Sequence, residues 1–498
     1  MNADGGGPKD LRRLVLHGIG WSAVEKWGIR LMSLVVFVIL LRTIDASEFG
    51  LASFTTAITS MLLVFVDAGF AKALIQKREL GGDDATTAFW TSIAIAVVIY
   101  GLIFFTAPLI ASWMEMEQLS AMLRVLGLSL FASAMSSVPA ALLERDMNFK
   151  SLGLRSIFGT VVGAAIAVPM ALFGMGVWAL IVQMLATLVA GTIALWFSTS
   201  WRPTFRYSVP ALRKLMSFGV SVLGLEILNR TQQNIDKVLV NVLLGPEAGG
   251  IYFVAQRAMK LVSELVSSVI SKIALTTFSK LQDDRERLNR AFLQLTFAAG
   301  GIAIPVLGII AALGDIIMPY MSGAGEWERA VPIMQILAVS MSMAAICRFD
   351  KQTLLAVGRP ARAFALGLIE NIVGVALLMI AAPFGLIALA VGRALRIILT
   401  WPYRIYLLKK YASIQIVPYI LNTVMLAAAF IVPLGLLFLC TYTPWRQATP
   451  AFWTFAVPMS IMMLLSYYGT LWLVCGRRNR AAIRRTLKLG RRGKRSAT

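Results

Sequence analysis

The chain has 498 residues, of which 58% are hydrophobic and 14% are charged, and it carries a formal net charge of +22. Such a composition excludes a soluble globular protein of this length and predicts an all-α integral membrane protein. One histidine, His17, three separated cysteines and the lack of GxxxxGK[ST] and HExxH motifs argue against an ATP-binding loop, a zinc site and a disulfide framework, so we expect no metal and no cofactor.

Apolar runs of about 20 residues, the length of helix that crosses about 30 Å of hydrocarbon, recur along the whole chain. They predict about fourteen membrane helices. In chain order these helices fall near residues 15–42, 48–71, 86–113, 119–143, 152–173, 176–199, 213–244, 248–279, 291–314, 330–349, 363–382, 384–406, 416–440 and 451–475.

The distribution of charge predicts the orientation of these helices. The first residues, MNADGGGPKD, lack the apolar core and cleavage site of a signal peptide, so we expect the first helix to be retained. With the N-terminus in the cytoplasm, the loops on the outside receive little more than Arg42, Arg329 and Arg446. The loops on the inside receive most other basic residues, among them Lys72, Lys77, Lys351, Lys409 and Lys410. The positive-inside rule therefore predicts two cytoplasmic termini.

Comparison of the chain with itself indicates a duplication. An offset of 200 residues aligns Lys26 with Glu226, Arg30 with Arg230, Gly50 with Gly250, and Lys72 with Lys272. Six helices separate the matched segments, and an even number preserves orientation, so the two copies are related by an axis along the membrane normal. We expect two pseudo-symmetric six-helix lobes at 1–200 and 201–410 and two further helices at 411–476. A basic cytoplasmic tail at 477–498 then attracts anionic membrane lipids rather than nucleic acid.

Polar residues in the seventh segment fall on one face of the predicted helix. They follow the spacing i, i+4, i+7, i+8, i+11 and i+15 and are Glu226, Arg230, Gln233, Asn234, Lys237 and Asn241. The first, second and eighth segments add further polar side chains, namely Glu25, Lys26, Arg30, Asp67, Arg257, Lys260 and Glu264. A charge in the membrane costs about 2.5 to 3.5 kcal/mol on insertion scales, so these charges need a water-filled cavity or internal ion pairs.

The excess of basic groups favours an anionic substrate, because a guanidinium binds phosphate through two hydrogen bonds. A lipid diphosphate fits this requirement. The predicted substrate-binding residues are Arg30, Arg230, Lys237, Arg257, Lys260, Lys26, Asn234 and Gln233. The candidates for coupling to a proton or a sodium ion are Asp67, Glu25, Glu226 and Glu264.

The alternative to a cavity is a set of structural contacts. Glu226 is then paired with Arg230, and the polar amides join neighbouring helices. Snorkelling to the headgroups accounts for other basic residues near the ends of the segments, namely Lys72, Arg213, Lys272 and Lys280.

Five segments of the chain resemble the polysaccharide transporters of Wzx type in the multidrug/oligosaccharidyl-lipid/polysaccharide (MOP) flippase superfamily. They are EFGLASFTTAITSMLLVFVDAGFAKALIQKREL (48–80), TAFW (87–90), LLERDMNFKSLGLR (142–155), FGMGVWALIVQ (173–183) and NIDKVLVNVLLGPEAGGIYFVAQRAMKL (234–261). The resemblance implies a V-shaped protein of fourteen helices with a central cationic cavity lined by helices one, two, seven and eight.

The implied substrate is an oligosaccharide repeat unit linked to undecaprenyl diphosphate. The resemblance implies that the protein moves this lipid from the cytoplasmic to the outer leaflet of the bacterial inner membrane by alternating access, for exopolysaccharide, capsule or O-antigen assembly. Glycosyltransferases and a polysaccharide polymerase are then expected partners.

Other functions stay open at this stage. A drug or cation exporter of the related MATE branch would use acidic groups, whereas the charges within these membrane segments are mainly basic. A membrane glycosyltransferase or polymerase would need an acidic pair or a large outward loop, and the longest outward loop is short, at 315–329. A lipid II flippase is a closer relative that the sequence leaves open.

Overall fold

The computed structural model describes residues 28–67, 69–77, 79–281, 284–323, 325–441 and 452–474. Within these ranges the chain forms helices, turns and loops and no strand, which confirms the predicted all-α class. Contacts divide the chain into two compact units, Met1–Gly250 and Ile251–Thr498. The lobe boundaries predicted from the repeat, at 200/201 and 410/411, stay predictions.

The first unit contains α1 to α8 and the beginning of α9. The helices are α1 (Gly28–Leu41), α2 (Ala46–Asp67), α3 (Phe70–Gln76), α4 (Asp84–Trp113), α5 (Glu117–Gly127), α6 (Ser129–Arg145), α7 (Phe149–Leu172), α8 (Val177–Ser198) and α9 (Val209–Lys280). Helices α5 and α6 are joined through Leu128 and together provide one segment of membrane length, Glu117–Arg145.

The second unit contains the rest of α9 and α10 to α17. These helices are α10 (Arg285–Ala312), α11 (Gly314–Ser322), α12 (Val331–Ala356), α13 (Pro360–Ala381), α14 (Leu386–Ala412), α15 (Ile416–Ala428), α16 (Ile431–Thr441) and α17 (Val457–Val474). Short 3-10 turns, Glu326–Ala330 and Ala382–Phe384, precede α12 and α14, and a π-helical turn, Phe452–Ala456, precedes α17.

The described part of the chain has 12 helical segments that are long and apolar enough to cross a membrane, and α1 is a shorter apolar helix. One of the 12, Leu223–Glu264, is interrupted within α9 at Gly245, where φ is 83° and ψ is 173°. Glycine adopts this backbone conformation without a Cβ clash, and Pro246 has no N–H with which to continue the helix. The predicted seventh and eighth helices lie on either side of the break. The total of fourteen stays a prediction.

Two apolar clusters form the core of the first unit. One joins α2, α4, α5 and α6 around Phe54, Ile103 and Leu119, with Val238 and Val242 of α9 packed against it. The other joins α3, α4 and α6 to the start of α9. The beginning of α9 therefore packs with α2 to α6.

Small residues bring α7 and α8 into close contact. A Cβ added at Gly159 or Gly163 would overlap atoms of Thr187. Backbones approach this closely only where both helices present small side chains. The GTVVG motif at 159–163 therefore serves helix packing.

Two of the segments that resemble the Wzx-type transporters, 48–80 and 173–183, meet at the start of α2. The carboxylate of Glu48 lies beside Gly176, immediately before α8 begins at Val177. A Cβ at Gly176 would overlap this carboxylate, and the φ of 51° at Gly176 favours glycine as well. Glu48 thus packs against the N-terminus of α8.

Aromatic side chains fill the core of the second unit. Phe292 of α10, Phe349 of α12, Tyr419 of α15 and Tyr467 of α17 are almost completely buried in one cluster. Their rings meet edge to face, as between Phe292 and Tyr419, whose centroids are 5.3 Å apart. This cluster positions α10, α12 and α15 around the buried charges described below.

Glycines allow α2 to cross the segment that follows Gly245. A Cβ at Gly50 would overlap the carbonyl of Pro246, and a Cβ at Gly250 would overlap the carbonyl of Ala46. The two contacts are related by the offset of 200 residues, because 46 corresponds to 246 and 50 to 250. The duplication itself stays a prediction.

We expect Gly250→Ala to destabilise the protein by about 1 to 3 kcal/mol, because the backbones must separate to admit one methyl group. The measurement is thermal unfolding of the detergent-purified protein. Gly101→Ala is the control, since a Cβ at Gly101 of α4 meets no atom within 4 Å. At that position alanine gains helix propensity and should leave stability equal or higher. Equal melting temperatures for Gly250→Ala and the parent would contradict the close crossing.

The predicted orientation of the helices is tested by reporter fusions. Because lysine and arginine crowd one set of loops, reporters placed after residues 80, 210, 285 and 490 should be cytoplasmic, and one placed after residue 325 should be external. The measurement compares a reporter that is active only in the cytoplasm with one that is active only outside. An external signal after residue 490 would contradict the prediction of cytoplasmic termini.

Candidate functional site

Five polar side chains line one face of α9 before the break at Gly245. We name this set the polar face of α9, and it consists of Arg230, Gln233, Asn234, Lys237 and Asn241. Arg230 and Gln233 are exposed, Lys237 is half-buried, and Asn234 and Asn241 are buried. The helical spacing predicted from the sequence is therefore realised in a single unbroken stretch of helix.

Hydrogen bonds connect the members of this face. The Asn234 amide donates to the Arg230 carbonyl at 3.0 Å, and the Lys237 ammonium donates to Asn234 Oδ1 at 3.2 Å. Asn241 Nδ2 donates to the Lys237 carbonyl at 2.8 Å and to Ser53 Oγ of α2 at 3.0 Å. The buried amides thus hold the Lys237 ammonium and fix the face to α2.

The guanidinium of Arg230 differs from these groups because it is exposed. Among the residues that the structure describes, no side chain pairs with it. Arg230 lies inside Leu223–Glu264, a segment of membrane hydropathy, so its exposed surface borders either lipid or water. A charge facing hydrocarbon costs about 2.5 to 3.5 kcal/mol even on the most lenient scales, so water is the favoured neighbour. An anion that reached this water would find the guanidinium available.

The first helix supplies the other predicted cations of the first unit. Arg30 lies in α1 and is half-buried. Lys26 and Glu25 lie outside the described residues. The substrate-binding role of Arg30 and Lys26 stays a prediction.

Two of the carboxylates predicted to couple an ion have polar partners in the first unit. Glu226 forms an ion pair with Lys72, rather than with Arg230 as the alternative from the sequence supposed. Lys72 lies in α3, which packs against the start of α9 and so brings the Lys72 ammonium to Glu226; its expected snorkelling to the headgroups stays a prediction. Asp67 accepts hydrogen bonds from Ser137 Oγ at 2.6 Å and from the backbone N–H of Ala71 at 3.3 Å.

The predicted residues of the second unit lie on α9 beyond the break. Arg257, Lys260 and Glu264 are all half-buried. Glu264 interacts electrostatically with Arg257 and with Arg348 of α12, a residue that the sequence had not indicated. Arg257 and Glu264 therefore stabilise each other whatever further role they have.

A buried charge network in the second unit was not predicted. Arg404 of α14 forms ion pairs with Asp350 of α12, at 3.2 Å, and with Glu370 of α13. Lys351 approaches Glu370 at 2.8 Å, and the Tyr419 hydroxyl donates to Asp350 Oδ1 at 3.4 Å. Asp350 and Glu370 are at most 1% exposed, and Arg404 is 8% exposed. We name these residues the Arg404 network.

A signal for this network was present in the sequence. Glu370 is an acidic residue inside an apolar run, and Asp350 and Arg404 lie at the ends of two others. Isolated charges give no helical pattern, because each helix contributes only one or two of them. Lys351 was counted as a loop cation, whereas it lies within α12.

The described residues provide no metal site. Within the ranges that the structure covers, no group of three or more His, Cys, Asp or Glu side chains lies close enough to hold an ion. What the described polar groups offer instead is basic side chains and amides within membrane-length helices. Such groups can bind and release an anion without covalent chemistry.

Comparisons with known proteins identify the family of this chain. A family described as "Polysaccharide biosynthesis protein" matches residues 39–332. The succinoglycan biosynthesis transport protein ExoT of Rhizobium meliloti (strain 1021) is 27% identical over 361 residues, which are 72% of this chain and 73% of ExoT. The lipopolysaccharide biosynthesis protein WzxC of Escherichia coli (strain K12) is 24% identical over 331 residues, 66% of this chain and 67% of WzxC.

A solved structure shares the fold. The lipid II flippase MurJ, in an inward closed conformation, superposes with a TM-score of 0.75 at 13% sequence identity. The superposition covers 91% of this chain and 99% of MurJ. This likeness shows that the chain shares the helical fold of MurJ.

Proposed function

Because the chain belongs to the polysaccharide biosynthesis protein family, we propose that it is a flippase for an oligosaccharide repeat unit linked to undecaprenyl diphosphate. The lipid would move from the cytoplasmic to the outer leaflet and supply exopolysaccharide, capsule or O-antigen assembly. The family and the relatives make the chain a transporter rather than an enzyme. The observation that carries the proposal is the exposed guanidinium of Arg230 within a membrane segment.

The polar face of α9 has the chemistry that such a substrate requires. A diphosphate presents oxygens that accept two parallel hydrogen bonds from the guanidinium of Arg230. The Lys237 ammonium, held by Asn234, adds a second charge seven residues along the same helix. The exposed amide of Gln233 suits sugar hydroxyls. We propose that the diphosphate binds along this face and that Arg30 and Lys26 contribute from the first helix.

The site must also release its anion. We propose that Arg257 and Lys260 take part in a second stage of binding and that transport proceeds by alternating access. The ion pairs formed by Glu226 and Glu264 offer a means of adjusting the affinity of the site for its anionic substrate. A proton or cation that bound Glu226 would leave Lys72 without its partner, and the same holds for Glu264 with Arg257 and Arg348. Glu25 and Asp67 stay further candidates for coupling.

The protein spans a membrane several times, and we propose that this membrane is the bacterial inner membrane with both termini in the cytoplasm. Glycosyltransferases would supply the lipid-linked repeat unit on the inside, and a polymerase would consume it outside. The basic tail at 477–498 would bind anionic lipids. This tail lies outside the described residues.

The proposal is tested in a strain of the native host from which the gene for this protein has been deleted. Lipid-linked repeat units should accumulate on the cytoplasmic leaflet, and polymer should disappear from the surface. Sidedness is measured by protection of the glycan from a glycosidase added to intact spheroplasts.

The same strain distinguishes the alternatives. If the protein were a drug exporter, its deletion would alter drug susceptibility and leave the amount of polymer unchanged. If it were a lipid II flippase, its deletion would impair peptidoglycan synthesis. If the protein were a polymerase, its deletion would leave the repeat units on the outer leaflet, where the added glycosidase reaches them. Repeat units exposed on the outer leaflet at the normal level would contradict the proposal.

A further inference from the structure

Basic side chains gather at one end of the second unit. Arg359 and Arg362, at the start of α13, place their guanidinium carbons 5.3 and 5.5 Å from the centre of the Tyr411 ring. Lys410 Nζ lies 5.6 Å from the same ring, and Arg285 donates to the Tyr411 carbonyl at 2.8 Å. We name these four cations and Tyr411 the Tyr411 cluster.

The four cations of the Tyr411 cluster are all exposed. Among the residues that the structure describes, no carboxylate forms an ion pair with any of them. Like charges held around one ring repel each other, and the aromatic face offsets this repulsion only in part. A bound anion would relieve it.

A cavity adjoins the cluster at Arg285. It has a volume of about 390 Å³ and is lined by Arg285, Glu286, Asn289, Arg290, Ser413 and Gln415. This volume lies in the range of small-ligand sites, about 300 to 1,000 Å³. Arg285 belongs to both the cavity and the Tyr411 cluster, so one ligand can contact both.

Asn289 gives the cavity a fixed hydrogen-bond donor. The residue is 93% buried, since its exposed fraction is 7%. Its Oδ1 accepts the backbone N–H of Gln415 at 3.0 Å, which orients the amide. In the described part of the chain no group accepts from Nδ2, so this donor is left for a ligand. Glu286 supplies an acceptor on the same wall.

The cavity lies where membrane helices end. Its walls come from the first residues of α10 and the loop after α14, and α13 begins beside it. Tyr403, Tyr406 and Tyr411 follow one another near the end of α14, as tyrosines do at membrane interfaces. The predicted topology makes this end cytoplasmic. Basic pockets between membrane helices on that side are suited to anionic lipid headgroups.

We propose that this cavity binds the headgroup of an anionic glycerophospholipid of the phosphatidylglycerol kind. The phosphate would contact Arg285 and Arg290, and the Asn289 amide would donate to it or to a headgroup hydroxyl. Glu286 would accept from a glycerol hydroxyl, a group that a bare phosphate lacks. The cations over Tyr411 would attract the headgroup from the membrane surface. The basic tail at 477–498 is excluded as the occupant because its charge has the same sign.

This site is distinct from the polar face of α9 and does not depend on the proposed transport function. The test measures binding, so a failure of either proposal leaves the other standing. Full-length purified protein is titrated with water-soluble short-chain phosphatidylglycerol, with short-chain phosphatidylcholine and with inorganic phosphate. Affinity is read from the shift in thermal unfolding and, independently, from lipid adducts in native mass spectrometry.

We expect phosphatidylglycerol to bind at least about tenfold more tightly than phosphatidylcholine or inorganic phosphate, because it alone joins a net negative phosphodiester for the guanidinium groups to a glycerol hydroxyl that can donate to Glu286. The variant R285Q/R290Q should lose this preference. R287Q is the matched control, because Arg287 lies on the same helix, pairs with Asp284 at 3.0 Å and does not line the cavity. It should bind as the parent does.

Three outcomes would overturn the proposal. The first is unchanged phosphatidylglycerol binding by R285Q/R290Q, and the second is equal binding of the two lipids by the parent. The third is inorganic phosphate binding as tightly as the lipid, which would indicate a site for free phosphate. If R285Q/R290Q does not fold, R359Q/R362Q replaces it, since both residues are exposed on the Tyr411 cluster, and it should weaken phosphatidylglycerol binding several-fold.

Discussion

Arg404→Met should leave little folded protein in the membrane. The variant keeps most of the side-chain volume and removes the charge, so that Asp350 and Glu370 lose their shared partner. Both carboxylates are almost completely buried, and Lys351 approaches Glu370. Breaking a buried ion pair by removing one partner costs about 3 to 5 kcal/mol, which is a large part of the stability of most proteins.

The measurement for Arg404→Met is the fraction of protein that elutes as a single species after detergent extraction, together with its melting temperature. Arg348→Met is the control, because Arg348 is an exposed arginine on α12 outside the Arg404 network.

The triple variant Asp350→Asn, Glu370→Gln, Arg404→Met separates charge from packing. It removes the uncompensated charges and should recover most of the stability, since neutral groups of similar size often replace a buried network at little cost. A melting temperature for Arg404→Met equal to that of the parent would show that the network does not hold α12, α13 and α14 together.

Hydropathy and helical spacing predict much of this molecule. Membrane insertion requires long apolar runs, so the helices are visible in the sequence, and so is the polar face of α9, because its members share one helix. The break within α9 follows from Gly245 and Pro246, whose backbone chemistry is local. Each of these features depends only on residues near one another in the chain.

Ion pairs between helices could not be predicted in the same way. Lys72 and Glu226 are 154 positions apart, and only the packing of α3 against the start of α9 brings them together. The Arg404 network draws on four helices with one or two residues from each. The sequence therefore indicated where charges lie within the membrane and left open which charges neutralise each other.

The substitution with the largest expected effect on transport is Arg30→Ala with Arg230→Ala. Each guanidinium would contribute charge-assisted hydrogen bonds to the diphosphate, worth about 1.5 to 3 kcal/mol each, so the double variant should lower transport by about a hundredfold or more. Insertion should be normal, because removing charges from membrane segments makes insertion easier. Arg230→Lys should retain part of the activity, since an ammonium replaces the planar fork with a point charge.

Arg213→Ala is the matched control for this experiment. Arg213 is exposed on the same helix, α9, in its first turns, and it does not belong to the polar face. Its loss should leave transport unchanged, which would show that position along the helix, and not positive charge alone, determines the effect. A similar loss in Arg213→Ala would indicate a general electrostatic contribution.

The most direct test of the polar face of α9 is the sidedness of lipid-linked repeat units in cells that carry the Arg30→Ala, Arg230→Ala variant at the parent's expression level. Glycosidase added to spheroplasts measures the units on the outer leaflet. We predict that outer-leaflet units fall to the level of cells that lack the protein, while the units protected inside accumulate. Outer-leaflet units at the parent's level would contradict the assignment of the anion site to these arginines.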